Sequence, residues 1–238
     1  MTTHYLDVDD LSRDQLLAVL DRADELKRDR RPLDALRGTF IGMIFEKPST
    51  RTRVSFEVGI TELGATPVVL SASELQLGRG ETIEDTARVL SRYLHGLVVR
   101  TFGQERLEAL ASAGSIPVIN ALSDYAHPCQ ALADLQTIRE RKGRLEGLTL
   151  AYLGDGNNVA HSLLRAGALA GMHVRVASPA GHEPAEQVVS EAAEVAAATG
   201  GSVTVTADPL EAARGADAVY TDVWASMGQE HEREARLR

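Results

Sequence analysis

Phe45-Glu46-Lys47-Pro48-Ser49-Thr50-Arg51-Thr52-Arg53-Val54-Ser55-Phe56-Glu57 is the stretch on which the fold turns. Ahead of it runs Phe40-Ile41-Gly42-Met43-Ile44-Phe45, apolar and of strand length. Behind it, Phe56, Ile60 and Leu63 recur at helical spacing, with Val54 and Val58 beside them. Pro48 biases Lys47 towards extended backbone, so the strand ends there. The hydroxyls and arginines therefore fall at a strand-to-helix turn, where free backbone N–H groups and the positive helix end attract an anion. Ser49, Thr50 and Thr52 offer hydroxyl donors, and Arg51 a planar fork that grips phosphate or carboxylate. The stretch reads as a phosphate site with no glycine-rich loop.

Working outward, the same alternation of strand and helix continues in both directions. On the N-terminal side, Ser12 with Gln15 reads as a capping box, and Leu16, Leu20 and Ala23 give a helical face to about Arg28. On the C-terminal side, Val68–Leu70, Gly96–Val99 and Ile116–Ile119 read as strands. Helices are predicted over Ile83–Leu94, from a Thr82/Asp85 box, and over Glu105–Ala113. Another opens at Pro128, a residue tolerated at a first helical position, and ends near Gly143. The pattern then restarts: strands at Leu148–Leu153, Val174–Ala177, Val203–Val205 and Ala218–Tyr220, with helices at Val159–Ala170, Ala185–Ala198 and Leu210–Ala213. Strands alternating with helices predict an α/β fold, two doubly wound domains each with a central parallel sheet, joined by a helix. The division is placed at residues 1–143 and 144–238.

Composition narrows the function. A net charge of −9 over 238 residues argues against general nucleic-acid or anionic-membrane binding, so an anionic ligand needs a local basic pocket. The single cysteine, Cys129, excludes a disulfide framework and a cysteine-rich zinc site. Met1 to Asp10 lacks an apolar signal core, and no apolar run is long enough to span a bilayer. A reducing, cytoplasmic setting follows.

In parallel α/β sheets, working polar residues gather at the carboxyl ends of strands. Five such ends are polar here: Ser49–Thr52, Arg100, His127 after its loop, Asn157-Asn158, and Asp222. Each has a plain structural reading by itself. Arg53 and Glu57, four apart, suit a helix-surface pair; Arg100 suits a solvated edge, His127 a helix cap, Asp222 a turn. Other templates fail. Gly154-Asp155-Gly156-Asn157-Asn158-Val159 lacks the third glycine of a dinucleotide fingerprint, which leaves an NAD enzyme a distant reading. There is no Walker A sequence, and His231-Glu232-Arg233-Glu234 lacks the second histidine of a zincin. Cys129 near His127 invites a thiol nucleophile, but its place at a helix start favours a small buried side chain.

Taken together and in chain order, these segments are recognisable. Ser49-Thr50-Arg51-Thr52-Arg53, Arg100 and His127-Pro128-Cys129-Gln130 resemble the carbamoyl-phosphate motifs of the aspartate/ornithine carbamoyltransferase family. Gly154-Asp155-Gly156-Asn157-Asn158 and Asp222-Val223-Trp224-Ala225-Ser226-Met227-Gly228 resemble its ornithine branch. The resemblance covers essentially the whole chain. It implies carbamoyl transfer from carbamoyl phosphate to the δ-amine of ornithine, without metal or organic cofactor. It implies a trimeric core with each site completed by a neighbouring subunit. By matching position, Ser49, Thr50, Arg51, Thr52 and Arg100 would bind phosphate. Thr52, Arg100 and His127 would polarise the carbamoyl oxygen, and Gln130, beside Pro128 and Cys129, would hold the carbamoyl nitrogen. Gln76 would reach an adjacent subunit's phosphate. Asn158, Asp222, Ser226 and the Met227 backbone would hold the α-amino and α-carboxylate groups of ornithine. Arg53 becomes a structural partner, paired with Glu81 across the subunit interface. The family continues for several dozen residues past the position of Arg238, with a His-Cys-Leu-Pro motif and a closing helix. The sequence therefore reads as C-terminally truncated, and a non-catalytic carbamoyl-phosphate-binding or oligomerisation module is the alternative.

Overall fold

The computed structural model describes residues 3–71 and 80–222. The chain forms two compact units, Met1–Leu11 with Ala18–Cys129, and Ser12–Leu17 with Gln130–Arg238.

After helix α1 (Arg13–Arg28), the first unit runs β1 (Phe40–Phe45), α2 (Thr50–Glu62), β2 (Thr66–Ser71), α3 (Ile83–Leu90), β3 (Gly96–Arg100), α4 (Gln104–Ala113) and β4 (Val118–Leu122). α5 (Pro128–Lys142) begins in this unit. The sheet order is β2-β1-β3-β4, with every pairing parallel. A two-residue side-chain period sends alternate residues to opposite faces. Ile44, Leu97, Val99 and Val118 meet Leu107 and Leu110 of α4 on one face, and Met43, Val98 and Ala121 meet Ile60 of α2 on the other. β3 is buried along its whole length, as a central strand covered on both faces must be.

The second unit repeats the plan with β5 (Thr149–Leu153), α6 (Asn158–Leu169), β6 (His173–Ala177), α7 (Glu186–Thr199), β7 (Ser202–Thr206), α8 (Pro209–Ala213) and β8 (Ala218–Thr221). Its sheet is also parallel, in the order β7-β6-β5-β8. α6 is buried from Val159 to Ala168, and a β-carbon at Gly167 would stand 2.4 Å from a Val174 methyl, so the helix lies close against β6. Gly200, at φ 86°, closes α7 in the left-handed conformation. Both units are the doubly wound α/β type that strand–helix alternation predicts.

Two elements depart from the sequence reading. The fourth strand begins at Val118 rather than Ile116 and runs through Asn120 to Leu122. Pro117 has no N–H to give the ladder. Asn120 is tolerated inside because its amide donates to the Leu6 carbonyl at 2.8 Å, from an N-terminal segment that pairs at Tyr5 with Ile119. α3 stops at Leu90, where the Ser91 hydroxyl donates to the Ala87 carbonyl at 2.7 Å and a turn carries the chain to Leu94.

Candidate active site

The register of the first sheet brings the separate motifs to one edge. Phe45, the last residue of β1, pairs with Arg100, the last of β3, and the Glu46 N–H donates to the Arg100 carbonyl at 2.8 Å. A register shift between Val99 and Arg100 sets Arg100 opposite Leu122, so β4 ends at the same edge. α2 starts just beyond. Ser49 is its N-cap, and the serine Oγ accepts from the Thr52 N–H at 3.3 Å. Thr50 and Arg51 are exposed, and the first turn holds no acidic residue to neutralise the positive helix end.

Arg100 is 5% exposed, and its Nε has no hydrogen-bond partner among the described residues. Burial alone lowers the basicity of its guanidinium. A buried cation left without a carboxylate is costly unless an anion arrives. The His127 imidazole, on the loop into α5, is pushed down to about 4, first by burial and then by the Arg100 charge. At neutral pH it is an uncharged ring with one N–H to donate.

The supports around this edge are residues that motif reading passes over. Glu46 receives the Arg106 guanidinium through two hydrogen bonds, 2.6 and 3.2 Å, and a third from the Thr101 hydroxyl. Lys47 is ion-paired with Asp124 and lies 4.6 Å above the Phe102 ring centroid. The two charges flanking the motif thus tie the β1–α2 turn to the segments after β3 and β4. No spacing rule joins Glu46 to Arg106 or Lys47 to Asp124, because the partners meet only once the sheet exists.

Cys129 turns inward, its thiol donating to the Asn120 carbonyl at 3.4 Å, and burial pushes it up to about 12. A thiol that holds its proton so firmly is no nucleophile at neutral pH. Arg53 lies 3.8 Å from Glu57, the plain i, i+4 pair.

In the second unit, Asn157 caps α6: its Oδ1 accepts from the N–H groups of Val159 and Ala160 at 2.9 and 3.3 Å, leaving Asn158 as the first helical residue. Gly156 is required by packing, since a β-carbon there would sit 2.1 Å from the Pro184 nitrogen. This accounts for the glycine without a dinucleotide. Asp222 follows β8, and its charge acts on Asp134, Tyr152 and Tyr220. Tyr152 and Tyr220 stack with ring centroids 5.9 Å apart. Asp134 is pushed up to about 6, chiefly by burial. The Gln130 amide donates to it at 2.9 Å. Gln76, Ser226 and Met227 lie outside the described residues. Among the described residues no cluster of histidine, cysteine and carboxylates is arranged to hold a metal, and no helix is long and apolar enough to cross a membrane.

Two parallel sheets, with polar side chains gathered at strand ends, define a two-unit α/β protein of the kind that holds small molecules at the carboxyl edge of a sheet. The chain belongs to the aspartate/ornithine carbamoyltransferase family. Its residues 3–140 match the carbamoyl-P binding domain of that family, and residues 146–238 match the Asp/Orn binding domain. The chain is 62% identical over 237 residues to the ornithine carbamoyltransferase of Parafrankia sp., covering 98% of this chain and 75% of that protein. It is 63% identical to that of Acidothermus cellulolyticus, covering 100% and 77%. Among solved structures, ornithine carbamoyltransferase from Pyrococcus furiosus superposes with a TM-score of 0.93 at 48% identity, over 99% of this chain and 76% of that one.

Proposed function

We propose that the protein transfers the carbamoyl group of carbamoyl phosphate to the δ-amine of L-ornithine, giving L-citrulline and phosphate. The observation that carries the reading is the Arg100 guanidinium, buried without a carboxylate among the described residues and beside a neutral His127, in a chain of this family. Residues 1–143 take carbamoyl phosphate and residues 144–238 take ornithine. The α2 N-terminus, with Ser49, Thr50, Arg51 and Thr52, holds the phosphate together with Arg100. Thr52, Arg100 and His127 surround the carbamoyl oxygen, where negative charge develops as the amine attacks. Gln130 accepts from the carbamoyl nitrogen. Pro128 and Cys129 contribute backbone, since the cysteine side chain faces the interior. Gln76 serves a neighbouring subunit's phosphate.

In the reaction the neutral δ-amine forms the new C–N bond, the bond from carbon to the phosphate oxygen breaks, and the proton the amine nitrogen gives up leaves with the phosphate as hydrogen phosphate. An alkyl-ammonium has an unperturbed pKa of about 10.4, so ornithine must shed that proton before attack. A neutral His127 donates to the oxyanion and does not compete with Arg100 for the phosphate. Asn158, Asp222, Ser226 and the Met227 backbone hold the amino-acid end of ornithine. Holding two reactants in line supplies much of the rate without metal or cofactor.

The protein assembles as a homotrimer. Val54 and Val58 stand 53% and 39% exposed on α2. Apolar side chains left exposed together on one helix suit an interface. A role in arginine biosynthesis in the cytoplasm belongs to the same reading, and Cys129, a lone thiol, suits a reducing compartment. Colorimetric detection of citrulline from ornithine and carbamoyl phosphate tests the proposal. Carbamoyl-phosphate binding without citrulline would point instead to a non-catalytic module.

A further inference from the structure

Gln130 and Asp134 lie one helical turn apart on α5, and the Gln130 Nε2 donates to Asp134 Oδ1 at 2.9 Å. An amide side chain presents a donor at one end and an acceptor at the other, and either end can face a given partner. An ionised carboxylate accepts only. Asp134 therefore admits just one orientation of the Gln130 amide, with nitrogen towards the carboxylate and oxygen turned away. The amino group of carbamoyl phosphate is a donor, and it needs that oxygen.

We propose that Asp134 is a positioning residue: its carboxylate fixes the Gln130 amide so that Oε1 is always the atom offered to the carbamoyl nitrogen. The inference rests on the reading of Gln130 given under Proposed function. What surrounds Asp134 supports it. Burial is the largest influence on its carboxyl and opposes ionisation, and Asp222, at the end of β8, opposes it further. Among the described residues, only the Gln130 amide and the Tyr220 hydroxyl favour the ionised form. A carboxylate kept where its surroundings disfavour charge costs the fold stability, and such groups collect at working sites. Specificity follows from the same geometry. Inorganic phosphate lacks the carbamoyl amino group that Oε1 accepts from, so Asp134 favours the substrate over the product that shares its anionic half.

The test uses the whole chain and two ligands, carbamoyl phosphate and inorganic phosphate, measured by calorimetry in wild type, Asp134→Ala, Asp134→Asn, Gln130→Ala and the Gln130→Ala/Asp134→Ala pair. A single hydrogen bond of this kind corresponds to roughly a two- to tenfold change in affinity. Asp134→Ala should weaken carbamoyl phosphate by that factor and leave inorganic phosphate unchanged. In the Gln130→Ala background the same substitution should cost nothing more. Asp134→Asn keeps the shape but pairs with either end of the amide. It should show a smaller loss with a raised Tm at pH 7. Equal weakening of both ligands, or an equal loss in both backgrounds, overturns the positioning role and makes Asp134 merely structural. Wild-type protein that binds phosphate but not carbamoyl phosphate overturns the reading of the site itself.

Discussion

His127 and Asp134 are displaced in ways that act oppositely on stability, and single substitutions should separate them. The His127 ring is pushed down to about 4 from 6.5, by burial first and Arg100 second. Between those values the unfolded chain binds a proton that the folded one refuses, so the ring's contribution is present above pH 6.5 and lost as pH falls towards 4. Asp134 behaves inversely. Its carboxyl is raised to about 6 from 3.8, so between those values the folded chain holds a proton that the unfolded one gives up. Its cost is absent near pH 4 and fully felt above pH 6. At about 1.4 kcal/mol per unit, each effect amounts to about 3 kcal/mol at most. They nearly cancel in the wild type, which should show a shallow dependence between pH 4.5 and 6.5. His127→Gln removes the first effect, and its urea-unfolding free energy should rise as pH is lowered across that window. Asp134→Asn removes the second, and its stability should fall over the same range, by about 2 kcal/mol. Urea titrations at half-unit steps, with the imidazole followed by NMR, measure both. A His127 resonance titrating near 6.5, or a His127→Gln profile parallel to wild type, would refute the reasoning.

Glu46→Gln removes the carboxylate that receives Arg106 and Thr101. It should cost about 1–3 kcal/mol in denaturant titration and loosen the β1–α2 turn, weakening phosphate binding as well. Gly156→Ala puts a methyl 2.1 Å from the Pro184 nitrogen, and the backbone must move. A loss of about 1–3 kcal/mol is expected by thermal melting, whether or not any nucleotide is present. Val58→Asp places a charge on the exposed apolar side of α2 and should turn the proposed trimer into monomer by light scattering, while circular dichroism stays unchanged.

The alternation of strand and helix was legible because the buried strands are apolar runs bounded by proline, glycine and capping residues. Phe40–Phe45 is a strand ended by Pro48, and Ser12 and Gln15 form their reciprocal cap, with bonds of 2.8 and 3.2 Å. The fourth strand runs past its apolar residues because Asn120, polar and fully buried, owes its place to Leu6, 114 residues away in sequence. Local pattern carries no trace of such a partner. At the candidate site, the residues to which the proposal gives chemistry stand out by type: Arg51, Arg100, His127, Gln130. Their supports do not. Glu46, Arg106, Lys47 and Asp124 look like surface charge until the sheet folds them together. Asp134 is the exception, since its four-residue spacing from Gln130 is visible in the sequence once Gln130 is singled out.

Arg100 carries the central claim, and one substitution tests it. Arg100→Met keeps much of the side-chain volume and removes the buried charge. It should melt at a temperature equal to or above that of wild type, because a buried cation whose Nε has no hydrogen-bond partner among the described residues burdens the fold. It should also lose about 10²–10³-fold in citrulline formation, the usual effect of deleting one donor to a developing oxyanion. A stable variant that has lost activity and carbamoyl-phosphate binding together is the result predicted. A variant that turns over ornithine and carbamoyl phosphate at the wild-type rate would contradict it.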